Sequence, residues 1–231
     1  MEIGTQTLEM LSGVRKYTAW QYRNFEKYLG ERILEVGCGI GTISGFLASR
    51  ELLVAVDISE DHVNAARGLF KGKDNVTVRL GDISDDRVIE LGSYGFDTAV
   101  CINVLEHIED DARALKNMRG LLSKGGRVIL LVPGVKLLYG SLDRNLGHFR
   151  RYSAAELKKK MGAAGFRVEK MFYFNFLGAL GWFVTSRLLG RRMIPRDQAF
   201  FVEAAVPVIS FIEEKLKPLF GLSIIAVGRR S

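Results

Sequence analysis

"EVGCGIGT", residues 35–42, decides the fold. Its three glycines, Gly37, Gly39 and Gly41, follow the apolar run "RILEVG" (32–37) and precede "TISGFLASR" (42–50). That order predicts a buried strand, a tight turn and a helix. Glycine permits the turn and lets backbone approach a ligand closely. The dinucleotide spacing G-x-G-x-x-G would need a glycine at 42, where Thr42 stands, and the third glycine falls at 41. The spacing therefore argues against a nicotinamide-dependent enzyme.

Downstream, apolar runs alternate with helical patterns, as a parallel α/β sheet requires. "LLVAVD" (52–57) reads as a second strand, followed by "SEDHVNAARGLF" as a helix with Ser59 at its N-cap. "NVTVRLGD" is a third strand, "FDTAVCIN" (96–103) a fourth and "GRVILLVP" (126–133) a fifth. The amphipathic "DDARALKNMRGLLSKGG" lies between the last two and closes on a glycine pair. "VRKYTAWQYRNFEKYL" (14–29) predicts a covering helix, and Ser153-Ala-Ala-Glu156 a capping box opening a helix to about Ala164. "GFRVEKMFYFN" and "GLSIIAVGRR" (221–230) are the sixth and seventh strands, separated by two apolar helical patterns within 176–220.

The 231 residues, 48% apolar, suffice for one large α/β domain, without repeats or linker-like stretches. Cys38 and Cys101 fall in or beside apolar runs, which predicts reduced core thiols. "MEIGTQTLEMLSG" has no basic start followed by an apolar run, so a cytoplasmic protein is expected. Net charge is +7, divided unevenly: residues 1–134 balance to −3 and residues 135–231 to +10. Such one-sided charge predicts an anionic partner: a phosphorylated substrate, an acidic membrane surface or nucleic acid.

An acid closes strand two (Asp57), where a carboxylate can take both hydroxyls of a ribose, and another closes strand three (Asp82). Together with the glycine turn, "FDTAVCINVLEHIED" and "LLSKGGRVILLVP", these motifs resemble the Rossmann-like S-adenosylmethionine-dependent methyltransferases over about residues 30–134. The resemblance implies strand order 3-2-1-4-5-7-6 with an antiparallel seventh strand, helices on both faces, and S-adenosylmethionine as cofactor. It implies that Glu35 steadies the turn and the methionine amine side, above Gly37, Gly39 and Gly41. Asp57 would hold the ribose with Ile58 against the adenine, Asp82 and Ile83 would bracket the adenine, and Asn103 would lie beside the sulfonium. The single domain then divides into a covering helix (1–30), a cofactor-binding core (31–134) and an acceptor region (135–231). "RKYTAW", "LYGSLDRNLGHFRRYS", "YFNFLGALGW" and "FGLSIIAVGRR" further resemble a bacterial subgroup associated with polysaccharide or glycolipid assembly.

Methyl transfer from a sulfonium needs alignment and exclusion of water, worth up to about 7–11 kcal/mol. A base is needed only when the acceptor must lose a proton. The segment leaving strand five lies at the carboxyl edge of the sheet, so residues 134–152 are expected to wall the acceptor site. There His148 is the first base candidate, with His107 and Tyr139 as alternatives. Asp143 and Tyr152 are candidates for orienting the base or binding acceptor hydroxyls, and Arg150 or Arg151 for an acceptor phosphate or carboxylate. Three histidines without Cys/His spacing predict no metal site.

Neither insertion helix is long and apolar enough to span a bilayer. A lid, a homodimer interface and an interfacial membrane contact remain open, the last suggested by Trp182 and Phe183 beside Arg187, Arg191, Arg192 and Arg196. The expected acceptor is a small molecule or a lipid-linked glycan. Nucleic acid ranks second, because Asn103-Val104-Leu105-Glu106 lacks the Pro-Pro-aromatic motif of base methyltransferases. A non-catalytic cofactor-binding scaffold ranks behind both.

Overall fold

A computed structural model describes residues 14–191, 196–216 and 218–231, with residues 196–202 as backbone only. The N-terminal stretch "MEIGTQTLEMLSG", Arg192 and the Arg196 side chain lie outside the described residues.

Seven strands form one sheet: β1 (Arg32–Val36), β2 (Leu52–Asp57), β3 (Val76–Leu80), β4 (Phe96–Ile102), β5 (Leu122–Pro133), β6 (Phe166–Phe174) and β7 (Ser223–Arg230). Their order is β3-β2-β1-β4-β5-β7-β6. β1 to β5 pair in parallel, and β7 runs antiparallel between β5 and β6. The expected topology is therefore the observed one. The chain reverses its winding between β1 and β4, where open α/β sheets bind ligands beyond the strands' carboxyl ends.

Because side chains alternate across a strand, the sheet divides the core in two. Leu34, Val54, Ala99 and Val128 face one side, covered by α4 (Asp111–Leu121) and α6 (Ala154–Ala163) through Leu115, Met118, Leu157 and Met161. Ile33, Leu53, Val100 and Ile129 face the other, under α1 (Arg15–Phe25), α2 (Ser44–Leu47) and α3 (Glu60–Leu69). Ser59 caps α3 as its sequence suggests, its Oγ accepting the His62 N–H at 3.4 Å. The Ser153 Oγ accepts the Glu156 N–H at 3.2 Å, while the Glu156 carboxylate pairs with Lys136 instead of closing the box. Helix α4 stops at Leu121 and β5 begins at Leu122, earlier than the glycine pair suggested, because both leucines are buried and the chain must turn into the sheet. Cys38 and Cys101 are free and buried, as expected.

The insertion between β6 and β7 consists of α7 (Phe176–Trp182), a π-helical turn (Phe183–Leu188) and α8 (Arg196–Leu216). Helix α8 packs on α1. Two of its glutamates satisfy the open N–H groups of other helices. Glu203 accepts from the Lys16 and Tyr17 amides at 2.7 and 3.2 Å, and Glu213 from those of Asn175 and Phe176 at 2.6 and 3.0 Å. Leu180, Val184, Leu188, Leu189, Val208 and Phe211 remain exposed. No helix of the described residues is long and apolar enough to cross a membrane.

Candidate active site

The glycine turn caps the carboxyl end of β1. Gly37, Gly39 and Gly41 all have positive φ, +73°, +53° and +90°, which L-side chains adopt only under strain. A Cβ on Gly37 would lie 2.2 Å from Val104 Cγ2, so this glycine also lets the turn touch the chain leaving β4. Asp57 holds the turn from β2. Its Oδ2 accepts the Gly39 N–H at 2.8 Å, and its Oδ1 accepts the Ser59 N–H at 2.9 Å with His62 Nδ1 at 3.3 Å.

Glu35 lies buried beside this turn. Its Oε2 and the Ser44 Oγ find no hydrogen-bond partner among the described residues. Burial pushes its carboxyl up to about 8, the Ser44 hydroxyl opposing the shift and the Asp57 charge adding to it. An orphaned buried acceptor next to a side-chain-free cradle suits a ligand carrying a cationic amine, as S-adenosylmethionine does. The cofactor set fits its assigned ligand on that count. Ile58 is three-quarters exposed at the end of β2, open for contact with a flat ring. Asp82 is exposed, and its Oδ1 accepts from the Ser84 amide and hydroxyl at 2.8 and 2.6 Å.

Ile83 departs from expectation. Its side chain is buried in the core with Val88 and Leu115, because β3 hands the chain directly to the face under α4. It offers no side-chain surface to an adenine. Asn103 is exposed with φ +53°, an uncommon conformation for a residue other than glycine, and its N–H donates to the Leu131 carbonyl at 2.8 Å. These residues bring the glycine turn, two acids and an exposed amide side chain to the ends of four adjacent strands.

The segment after β5 differs more from its sequence reading. It contains the short helix α5 (Ser141–Asn145) and is organised around a buried carboxylate. Asp143 Oδ1 accepts from Arg151 Nε at 2.7 Å and meets His148 Nδ1 at 2.9 Å; its Oδ2 accepts from the Gly140 N–H at 3.0 Å and the Trp182 indole at 3.2 Å. Burial opposes ionisation of Asp143, but the His148 hydrogen bond and the Arg151 charge outweigh it and hold the carboxyl below its ordinary value.

Of the four substrate-binding candidates, Asp143 takes the other role left open for it, orienting His148, and the remaining three make bonds within the protein. Asp143 is fully buried and binds its own loop. Arg151 is buried as its partner, donates to the Gly134 carbonyl at 3.0 Å and stacks over the Trp182 ring at 4.8 Å. Tyr152 is fully buried, its hydroxyl donating to Asp111 Oδ2 at 2.8 Å. Arg150 turns the other way, onto Asp111 Oδ2 at 3.0 Å and the Glu109 carbonyl at 2.7 Å. The buried Arg151 charge must be paired within the protein, and Asp143 pairs it, while the partly exposed Arg150 is engaged by Asp111. Trp182 is half-buried against the loop, its indole donating to Asp143 and its ring lying under Arg151. Asp111, which organises Arg150, Tyr152 and Lys160, was not singled out by sequence.

A further cluster of titratable side chains comes from two segments. Glu106 and His107 sit in the 3₁₀ turn Leu105–His107 after β4, and His148 comes from the loop. The His107 and His148 rings meet edge to face, 4.7 Å between centroids. The Phe149 N–H donates to the Glu106 carbonyl at 2.9 Å, and the Tyr139 hydroxyl to the His148 carbonyl at 2.8 Å. Tyr139 thus braces the loop by its hydroxyl. Glu106 is buried, and burial pushes its carboxyl up to about 7, with the neighbouring His148 opposing the shift. His107 keeps one edge in solvent, yet burial of the rest of its ring and then the proximity of His148 hold it below the ordinary histidine value. Glu106 was missed in sequence because its signal, a charge in "LEHIED", is that of an exposed turn.

Comparison with known proteins bears on the fold and the family. A family model described as a methyltransferase domain matches residues 34–128. A ubiquinone biosynthesis O-methyltransferase of Coxiella burnetii is 30% identical over 118 residues, which are 50% of this chain and 45% of that protein. The chain thus matches about half the length of the relative. An S-adenosylmethionine-dependent methyltransferase structure from Mesorhizobium loti superposes with TM-score 0.61 at 18% identity, covering 91% of this chain and 98% of the other. One from Thermotoga maritima gives TM-score 0.67 at 19% identity, covering 98% and 96%. These two likenesses show the fold. Residues 34–128 therefore match a methyltransferase domain, the chain has the Rossmann-like class I fold, and S-adenosylmethionine is the cofactor that such a match implies.

Proposed function

We propose that the chain transfers a methyl group from S-adenosylmethionine to a hydroxyl of a polar, anionic acceptor, of the sugar or lipid-linked glycan class. The observation that carries this reading is the contact of Gly37 with Val104, which sets the glycine turn against the residue preceding the Leu105–His107 turn. Cofactor cradle and proton-handling side chains are therefore neighbours across one residue. Bound S-adenosylmethionine supplies a methyl carbon already activated by its sulfonium. The chain's task is then alignment, exclusion of water and removal of the acceptor proton. The Glu106–His107–His148 cluster is the group assigned to that proton. Asp143, accepting from His148 Nδ1, leaves the Nε2 lone pair directed elsewhere.

Support for an anionic acceptor comes from the +10 balance of residues 135–231 and from an open cleft lined by Arg144, Arg187 and Ser141. The exposed apolar residues Val184, Leu188 and Leu189 flank Arg187 and Arg191, a composition suited to an anionic lipid surface at the cytoplasmic membrane face. The test is mass spectrometry of glycolipid and sugar fractions after incubation with isotope-labelled S-adenosylmethionine. The reading expects a labelled O-methyl product, formed about 10²–10⁴-fold more slowly by His148→Ala. Label appearing only on nucleic acid, or on nothing while the cofactor binds normally, would overturn the acceptor assignment.

A further inference from the structure

We propose that Glu106, His107 and His148 hold a divalent transition-metal ion of the zinc type at the acceptor end of the cleft. One ligand atom from each residue lies within 4.8 Å of the others. Zinc bonds to nitrogen and oxygen are about 2.0–2.2 Å, so the three atoms close on an ion by moving roughly an ångström or less each.

Two further observations point to a cation here. Glu106 Oε2 is fully buried and finds no hydrogen-bond partner among the described residues. Buried carboxylate oxygens are normally paired, and an ion between them and two imidazoles would be the missing partner. Independently, His148 is arranged as metal-ligating histidines are. Its Nδ1 meets the Asp143 carboxylate at 2.9 Å, which fixes the tautomer with the Nε2 lone pair available for an ion. Asp143 is itself fixed by Arg151, Trp182 and the Gly140 amide. Tyr139 and Phe149 hold the two ligand segments in register through the His148 and Glu106 carbonyls. The supporting shell is therefore built, on both sides of the cluster.

Ligand type selects the ion. Two imidazole nitrogens and one carboxylate oxygen favour zinc, cobalt, manganese or ferrous iron over calcium or magnesium, which prefer all-oxygen sites. Three protein ligands leave a position open, the pattern of catalytic rather than structural zinc. The ligands come from two separate segments, so no spacing rule could expose them. The role of the ion rests on the methyltransferase reading and refines its proton step: with the ion bound, the open position takes the acceptor hydroxyl oxygen, the ion polarises the O–H bond and the proton passes to solvent, the three side chains then serving as ligands and not as the base.

Binding itself is testable without the acceptor. The full chain is stripped with chelator and titrated with Zn²⁺ by calorimetry and with Co²⁺ by visible absorption, while S-adenosylhomocysteine binding is measured on the same sample. One ion per chain is expected, with the intense visible bands of low-coordinate cobalt. Glu106→Gln and His148→Asn should each weaken metal binding at least tenfold, and the outlying Asp143→Asn by about 10–100-fold. His107→Gln, at a residue partly in solvent, supplies the same readout should a buried variant fail to fold. Unchanged metal affinity in His107→Gln, or no stoichiometric binding by the parent chain, would overturn the inference. If S-adenosylhomocysteine still binds in that case, the methyltransferase reading stands and only the metal site falls.

Discussion

Asp143 and His148, five residues apart on one loop, are joined at 2.9 Å through Oδ1 and Nδ1, with the carboxylate completely withdrawn from solvent. The same oxygen takes the Arg151 guanidinium at 2.7 Å, so a single buried charge orients His148 and anchors the loop. Orientation and stability therefore share one residue.

Removing that charge should be costly. Asp143→Ala leaves Arg151 buried without its counter-charge, and breaking a buried pair from one side typically costs about 3–5 kcal/mol. Denaturant unfolding of Asp143→Ala should show a loss of that order, with part recovered in Asp143→Ala/Arg151→Met. A change below about 0.5 kcal/mol would mean that the carboxylate does not organise the loop.

Glu35 makes stability depend on pH in the direction opposite to a salt-bridged acid. Its carboxyl is raised from 4.5 to about 8 in the folded chain, chiefly by burial. The folded state then holds a proton that the unfolded state has lost between those values, so stability is full below pH 4.5 and falls as pH rises towards 8. In cofactor-free protein Glu35→Gln should flatten this decline, by roughly 2–4 kcal/mol at its upper end. Parallel stability–pH curves for the two proteins would refute the assignment.

The sheet and the cofactor-facing turn were legible because their signals are local. Apolar runs bounded by glycines and acids specify strands that end at a ligand edge, and the observed strand order is the one the family resemblance implies. The acceptor loop was not. Arg150 and Arg151 look alike as letters, yet adjacent side chains diverge, and each found its own buried or half-buried acid, Asp111 and Asp143. Tyr152 was a candidate for orienting the base or binding an acceptor hydroxyl, but it is buried in the core with its hydroxyl on Asp111. Trp182 read as an interfacial anchor but caps the Arg151–Asp143 pair from the insertion. Each miss is a long-range polar contact, which no periodicity records.

The insertion's outer surface makes a separate prediction. Leu180, Val184, Leu188 and Leu189 are exposed around Arg187 and Arg191. Sedimentation with vesicles should require anionic lipid and weaken at high salt. Arg187→Ala/Arg191→Ala should lose roughly 2 kcal/mol of binding, at about 1 kcal/mol per arginine near the surface. Indifference to anionic vesicles would leave this face as a surface for another copy or as a lid.

The central claim is that the carboxyl ends of β1 to β4 bind S-adenosylmethionine, and calorimetry with S-adenosylhomocysteine tests it most directly. Asp57 is the discriminating residue, because hydrogen bonds to a charged group are worth about 1.5–3 kcal/mol each. Since Asp57 also fastens Gly39 and Ser59, Asp57→Asn accompanies Asp57→Ala, to separate charge from the shape of the turn. Micromolar binding by the parent chain and at least tenfold weaker binding by both variants is the expected result. Equal affinity in all three proteins, or no binding by the parent chain, would contradict the account.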